Sequence, residues 1–400
     1  MLLHRFSVPV ALWFVFFVNG AVLSSWAPRI PEVKDDLALS DSALGTALLG
    51  IALGAVPAML ITGRVLRNAR DVTVCAVAAL AFPAALPLIG FATGLATLMA
   101  VLLLLGVLSG VLDVAMNTAA MRVQAAEHKR IIGTLHGAYS IGVMAGAGAA
   151  AWAVHLKADL TAHFLASAAC LLVLGAMASA VLVASTSHSR EDARQSRTTA
   201  AMAPTDKPRS RVGWVPVTVA VLALSGFLLE GMVTDWSSLL LRRDMGADPA
   251  FAASALTVFS AAMFLSRTAS DMLSRYIPDG IFVVVAAGAV AVPTAAAIMV
   301  ESPGVALVAV ILIGLCAGPM FPLALTRAAH ARPHEVAGVS ARLSVIGYAA
   351  YLAGPPVIGV AAEYTGLPAT FLGVTVVTAV CLLGTAFVWR RHSRHHRSVL

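Results

Sequence analysis

The chain has 400 residues, 59% hydrophobic and 12% charged, with a mean hydropathy of +0.88. Soluble domains carry about a quarter charged residues, so this composition excludes a soluble globular protein. The formal net charge of +7 would suit a nucleic-acid partner, but the charges cluster between long apolar runs. That is the pattern of a polytopic membrane protein with basic loops on an anionic membrane surface.

Apolar runs near the bilayer-spanning length of about 20 residues fall at 6–28, 42–63, 72–91, 96–121, 132–155 and 162–184. A stretch rich in Ser, Thr, Ala and Arg follows at 185–213 and reads as a solvated tether. The second set falls at 214–241, 250–274, 280–300, 303–328, 338–361 and 367–389, ahead of a basic tail at 390–400. The expected fold is an all-α membrane protein with twelve transmembrane helices in two six-helix bundles, 1–184 and 214–389. The opening run follows His4-Arg5 in the manner of a signal peptide. Cleavage near Ala27 would discard Asn19 and Trp26, so an uncleaved first span is expected. With both termini cytoplasmic, most loop Lys and Arg residues fall inside. Arg29, Lys34, Lys157, Arg242 and Arg243 are those left outside.

The two halves repeat. Setting Asn19-Gly20 on Glu230-Gly231 brings Ser24-Ser25-Trp26 within one residue of Thr234-Asp235-Trp236. Gly106 and Gly110 match Gly314 and Gly318 at an offset of 208, which also places Arg67 on Arg275 and Gly146 on Gly354. Parallel repeats of six spans build one large transporter architecture.

Several stretches carry a family resemblance: Asn19-Gly20 with Ser25-Trp26-Ala27-Pro28-Arg29-Ile30-Pro31; Gly110 with Asp113 and Asn117; Leu135-His136-Gly137 with Ser140 and Gly142; Glu230-Gly231 with Thr234-Asp235-Trp236; Pro319 with Pro322; and Gly347-Tyr348 with Gly354-Pro355-Pro356. Through them the chain resembles the major facilitator superfamily over essentially its whole length, and within it the bacterial YbjJ-like branch. The resemblance implies an alternating-access carrier of the bacterial inner membrane. The superfamily's Asp-Arg-x-Gly-Arg turn after the second span is degenerate here, reading Gly63-Arg64-Val65-Leu66-Arg67-Asn68-Ala69-Arg70. Its second-half copy keeps both charges in Arg267, Asp271 and Arg275, so the inner gate is better supported there, with Arg342 as a candidate partner. The fifth span lacks the Gly-Pro pair that drug/proton antiporters carry, which weakens drug export.

Polar residues inside the spans are the candidates for chemistry. A carboxylate in mid-membrane is costly and by default functional, which singles out Glu230 as the expected proton-coupling group. Asp113 lies roughly 13 Å along a helix from Arg122, and Asn117 shares its face at i, i+4. Asn19 and Asn117 are expected polar substrate contacts, and Asp235 is expected on the same pathway. His136 is a proton relay or a packing residue. Tyr348 either meets substrate or packs against the Gly354-Pro355-Pro356 break. Arg267 and Asp271 are spaced as an intrahelical pair, and Trp26 and Trp236 as interface anchors. Cys75, Cys170, Cys316 and Cys381 stand alone in apolar runs and read as packing residues. No metal, nucleotide or nucleophile–base motif appears, so no cofactor and no enzyme activity are expected. Transport would then be driven by a gradient. The expected partners are a small-molecule substrate, protons and membrane lipids, with no nucleic acid, for a monomeric protein. A transporter-like membrane receptor or assembly factor that binds ligand without translocating it is the alternative.

Overall fold

The computed structural model describes residues 2–65, 71–127, 131–195, 216–331 and 336–397. Among them there is no strand. The helices are α1 (Leu2–Trp26), α2 (Ile30–Asp36), α3 (Asp41–Val65), α4 (Asp71–Ala85), α5 (Leu95–Glu127), α6 (Ile132–His155), α7 (Leu160–Gln195), α8 (Val217–Leu239), α9 (Pro249–Ala253), α10 (Ala255–Tyr276), α11 (Asp279–Val300), α12 (Pro303–Ala331), α13 (Val336–Thr365) and α14 (Leu367–Arg397). Short α2 and α9 apart, these give twelve segments of membrane-crossing length, α4 reaching it together with the 3-10 helix Leu86–Phe91 that continues it. Eleven of the membrane-length segments are long and apolar enough to span by composition, and α13, with 30 residues, supplies the twelfth. Each corresponds to one apolar run of the sequence. A 3-10 turn, Ala27–Arg29, joins α1 to α2, and a π-helical turn, Leu240–Asp244, extends α8. Asp248 caps α9 by accepting from the Ala250 and Phe251 amides, as a short acidic side chain at a helix start should. Gly366, at φ +80°, makes the left-handed turn between α13 and α14.

The chain forms two compact units. One comprises Met1–Trp26 and Gly50–Arg209, the other Ala27–Leu49 and Ser210–Leu400. The connecting segment after α1, Ala27–Leu49, is thus built into the second unit.

Inside a membrane, helices gain little by hiding apolar surface from lipid tails, so close packing through small residues does more of the work. Both units show this. In the first, a side chain added at Gly20 of α1 would overlap the Tyr139 carbonyl of α6, and one at Gly142 the Phe17 carbonyl of α1. Likewise, Gly106 of α5 rests on the Ile51 carbonyl, and a Cβ at Gly110 would meet the Ala55 oxygen of α3 at 2.6 Å. In the second, Gly314 and Gly318 of α12 stand 2.8 and 3.0 Å by the same measure from the Phe259 and Met263 carbonyls of α10. Ile51 to Phe259 and Ala55 to Met263 are each 208 apart, as are the glycines that face them. The repeat is therefore kept at the level of individual helix contacts.

Trp26 and Trp236 are 1% and 0% exposed, buried rather than anchored at an interface. An indole suits either place, because it is mostly apolar with one polar edge. Here the ring is spent on packing: the edge of Trp236 comes within 3.2 Å of where a Gly359 Cβ would stand.

Candidate functional site

Helix α8 holds the acids that matter. It runs 23 residues with Glu230 and Asp235 as its carboxylates. Glu230 Oε2 accepts from Arg267 Nη2 of α10 at 3.3 Å, with the two side chains 30% and 39% exposed. Arg267 Nε also donates to the Gly318 carbonyl of α12 at 3.4 Å. One guanidinium thus bridges a charged partner and a backbone oxygen on two different helices, a use that suits its fixed fork of donors. Gly318 makes room for it, since a Cβ there would lie 3.3 Å from Arg267 Cγ. The side chain of Asp271, the intrahelical partner expected from spacing, lies outside the described residues, and the described acidic partner of Arg267 is Glu230 of α8. The cation that opposes Glu230 thus comes from another helix. One turn before it, Phe227 stacks edge-on to Phe321 with ring centroids 5.1 Å apart and fills the space over Gly347.

Asp235 is different. It is buried, and no hydrogen bond or ion pair reaches it among the described residues.

At the far end of α8 the connecting segment is held by charge. Asp41, itself buried, accepts from Arg243 Nη1 at 2.6 Å and from Lys34 Nζ at 3.3 Å. Arg243 also reaches Asp244 at 3.1 Å, Arg242 pairs with Asp35 at 3.1 Å, and Arg29 pairs with Glu32 at 2.7 Å. The Ser42 amide donates to Glu363 of α13 at 3.2 Å. Beneath these pairs α3 and α13 cross on glycine. A Cβ at Gly45 would meet the Pro355 carbonyl at 2.5 Å, and one at Gly359 the Asp41 carbonyl at 2.5 Å. Sequence reading missed this clamp, although acids in 32–41 and Arg242-Arg243 on loops assigned to the same side were its signal.

In the first unit, Asn19 is buried and its Oδ1 has no partner among the described residues. Asp113 and Asn117 do share a face, but the Asn117 amide is engaged locally, donating to the Asp113 backbone oxygen at 2.9 Å and to its Oδ1 at 3.3 Å. The His136 ring packs edge-on against Phe16 at 5.4 Å, and its carbonyl accepts from Ser140. Of the remaining candidates, Arg67 lies outside the described residues. The side chains of Arg64, Asp271, Arg275, Arg342 and Tyr348 also fall outside them.

A twofold helical repeat with charged residues held inside spans can be compared with known proteins as a whole. The Major Facilitator Superfamily model matches residues 12–341 and again 236–399. The chain belongs to the major facilitator superfamily. An uncharacterized MFS-type transporter of Yersinia pestis is 29% identical over 369 residues, 91% of each chain. Membrane protein MosC of Rhizobium meliloti is 26% identical over 386 residues, 96% of this chain and 90% of that one. Among solved structures, the nucleoside transporter NupG superposes with a TM-score of 0.67 at 15% identity, over 96% of this chain and 98% of that one. A D-xylose-proton symporter gives 0.67 at 15%, over 94% and 97%. A bacterial homologue of the lysosomal transporter Spinster gives 0.69 at 14%, over 98% and 97%. At these identities the structures establish the facilitator fold, and the superfamily membership establishes a secondary transporter. Bacterial relatives of this kind place it in a membrane as a multi-pass protein.

Proposed function

We propose that this facilitator carries a small molecule by alternating access and couples its movement to protons. The observation that supports this reading is the Glu230–Arg267 pair. A carboxylate and a guanidinium within spans offset each other's cost of leaving water. Protonating Glu230 removes the attraction and leaves Arg267 with the Gly318 carbonyl as its remaining described partner, so proton arrival is converted into a change in what joins α8 to α10. The partial exposure of both side chains suits a pair that faces a water-filled space. Asn19, with its unmatched carbonyl oxygen, Asp113, Asn117, His136, Asp235 and Tyr348 are assigned to the polar pathway. Arg64, Arg67, Asp271, Arg275 and Arg342 are assigned to the inner gate. The excess of Lys and Arg on alternate loops supports cytoplasmic termini in a bacterial inner membrane. Single-cysteine labelling at Ser196 should fail with an impermeant reagent in intact cells, and success would reverse the orientation.

The functional test is counterflow of a metabolite mixture in proteoliposomes, with and without a proton gradient. Glu230→Gln keeps shape and hydrogen bonding but cannot titrate. It is expected to abolish proton-driven accumulation while leaving exchange intact. Accumulation at the wild-type level in this variant would sink the coupling role of Glu230.

A further inference from the structure

Among the described residues of the second unit two acids are buried, Asp41 and Asp235, and Asp235 has no ion pair, because the described cations around it are engaged elsewhere. Helix α8 is packed by α2, the Ala27–Arg29 turn, α9, α10, α12, α13 and α14. The described cations on these elements and on the adjoining π turn are engaged with other acids: Arg29 with Glu32, Lys34 and Arg243 with Asp41, Arg242 with Asp35, Arg267 with Glu230, and Arg327 with Asp279. Arg390, past the apolar part of α14, is exposed. Among the acids, Asp244 takes Arg243, Asp248 caps α9, and Glu363 takes the Ser42 amide. Asp36 and Glu301 are exposed, and Asp41, the other buried acid of the unit, holds two cations. Asp235 has neither cation nor donor among the described residues. An isolated ionised carboxylate in such a place costs several kcal/mol and is neutralised by taking up a proton.

Two further observations point to the same place. Trp236 Nε1 and Ser238 Oγ, within one turn of Asp235 on the same helix, are buried with no partner among the described residues. They are donors that an ionised carboxylate could use and a protonated one does not require. The register that sets Asn19 on Glu230 puts Ser24 at the repeat position of Asp235. Ser24 Oγ donates to the Gly20 carbonyl at 2.8 Å, closing its own helix. The first unit therefore has a satisfied hydroxyl where the second has an unsatisfied acid.

We propose that Asp235 is a proton-binding site separate from the Glu230–Arg267 pair, holding its proton while buried and surrendering it when the end of α8 is opened to water. Its part in coupling rests on the proton-coupled reading above, whereas its occupancy by a proton does not.

The test is infrared spectroscopy of the purified full-length protein in lipid at neutral pH, following the C=O stretch of a protonated carboxyl and its shift in deuterated water. Wild type should show the band, Asp235→Asn should lose it, Asp235→Glu should move it, and Glu230→Gln and Asp113→Asn should keep it. A wild type without the band overturns the proposal. So does a band that survives in a folded Asp235→Asn protein, or that vanishes in Asp113→Asn instead. Proton-driven accumulation of the metabolite mixture separates the two levels. Loss of accumulation in Asp235→Asn with exchange retained supports the coupling role. If the wild type itself accumulates nothing while the band still depends on Asp235, the coupled reading falls and the site stands.

Discussion

Helices α1 and α8 occupy equivalent places in the repeat, yet they are held differently. Helix α1 lies backbone against backbone on α6 through Gly20, Gly142 and Gly146. Helix α8 meets α13 through side chains, with the Phe227 ring over Gly347 and Leu228 4.0 Å from a Cβ built at Gly354. Polar chemistry follows the same division. Asn19 and Ser24 in α1 are neutral, and their counterparts in α8 are the acids Glu230 and Asp235. A duplicated scaffold has thus kept one copy as a tightly fitted, uncharged reference and placed its ionisable groups on the copy whose contacts can rearrange. A rotating ring yields where a backbone carbonyl cannot.

That contrast is broken most severely by adding bulk. Gly142→Ala drives a methyl into the Phe17 carbonyl and is expected to cost about 1–3 kcal/mol or more, whereas Gly347→Ala meets a movable ring and should cost clearly less. Unfolding of the purified proteins by heat compares the two directly, and equal losses would erase the distinction. A second test concerns the charge clamp. Asp41→Asn removes the acid that holds both Arg243 and Lys34 and should free the connecting segment. A cysteine at Ser42 is then expected to react with a soluble thiol reagent about tenfold faster, the factor given by about 1.4 kcal/mol. An unchanged rate would show the clamp to be ornamental. Arg267→Lys keeps the charge but loses the fork that spans Glu230 and Gly318, so proton-driven accumulation should fall several-fold with exchange retained. The mildest change is Ser25→Ala in the uncharged copy. It loses one local hydrogen bond, about 0.6 kcal/mol in membrane proteins, and should leave transport and its pH dependence unaltered.

Much of this was legible in the sequence because membrane packing leaves marks that survive without coordinates. Glycines four apart in α5 and α12 announce close helix contacts, and their offset of 208 reappears in the residues they rest on. The twelve spans were readable from length and hydropathy for the same reason, that backbone polar groups must be satisfied within a helix. Partner choice was not readable. Arg267 has an acid four residues along its own helix, and only the approach of α8 brings Glu230 within reach. The burial of Trp26 and Trp236 was equally hidden, since an indole satisfies the same pattern at an interface or in a core. The π turn after α8 and the placement of Ala27–Leu49 depend on tertiary fit and leave no periodic trace.

The placement of that connecting segment bears on how the protein could be divided. Ala27–Leu49 is built into the second unit, while its two ends continue into helices of the first. Severing the chain between residues 196 and 215 would therefore not yield two self-sufficient pieces. The carboxy-terminal fragment would be left with Arg242, Arg243 and Glu363 facing the places of Asp35, Asp41 and the Ser42 amide, and with the surface around Gly359 uncovered. The amino-terminal fragment would carry the missing piece. Co-expression with the amino-terminal half should accordingly rescue the carboxy-terminal one, as in fragment complementation, with the segment serving as an inherited swap.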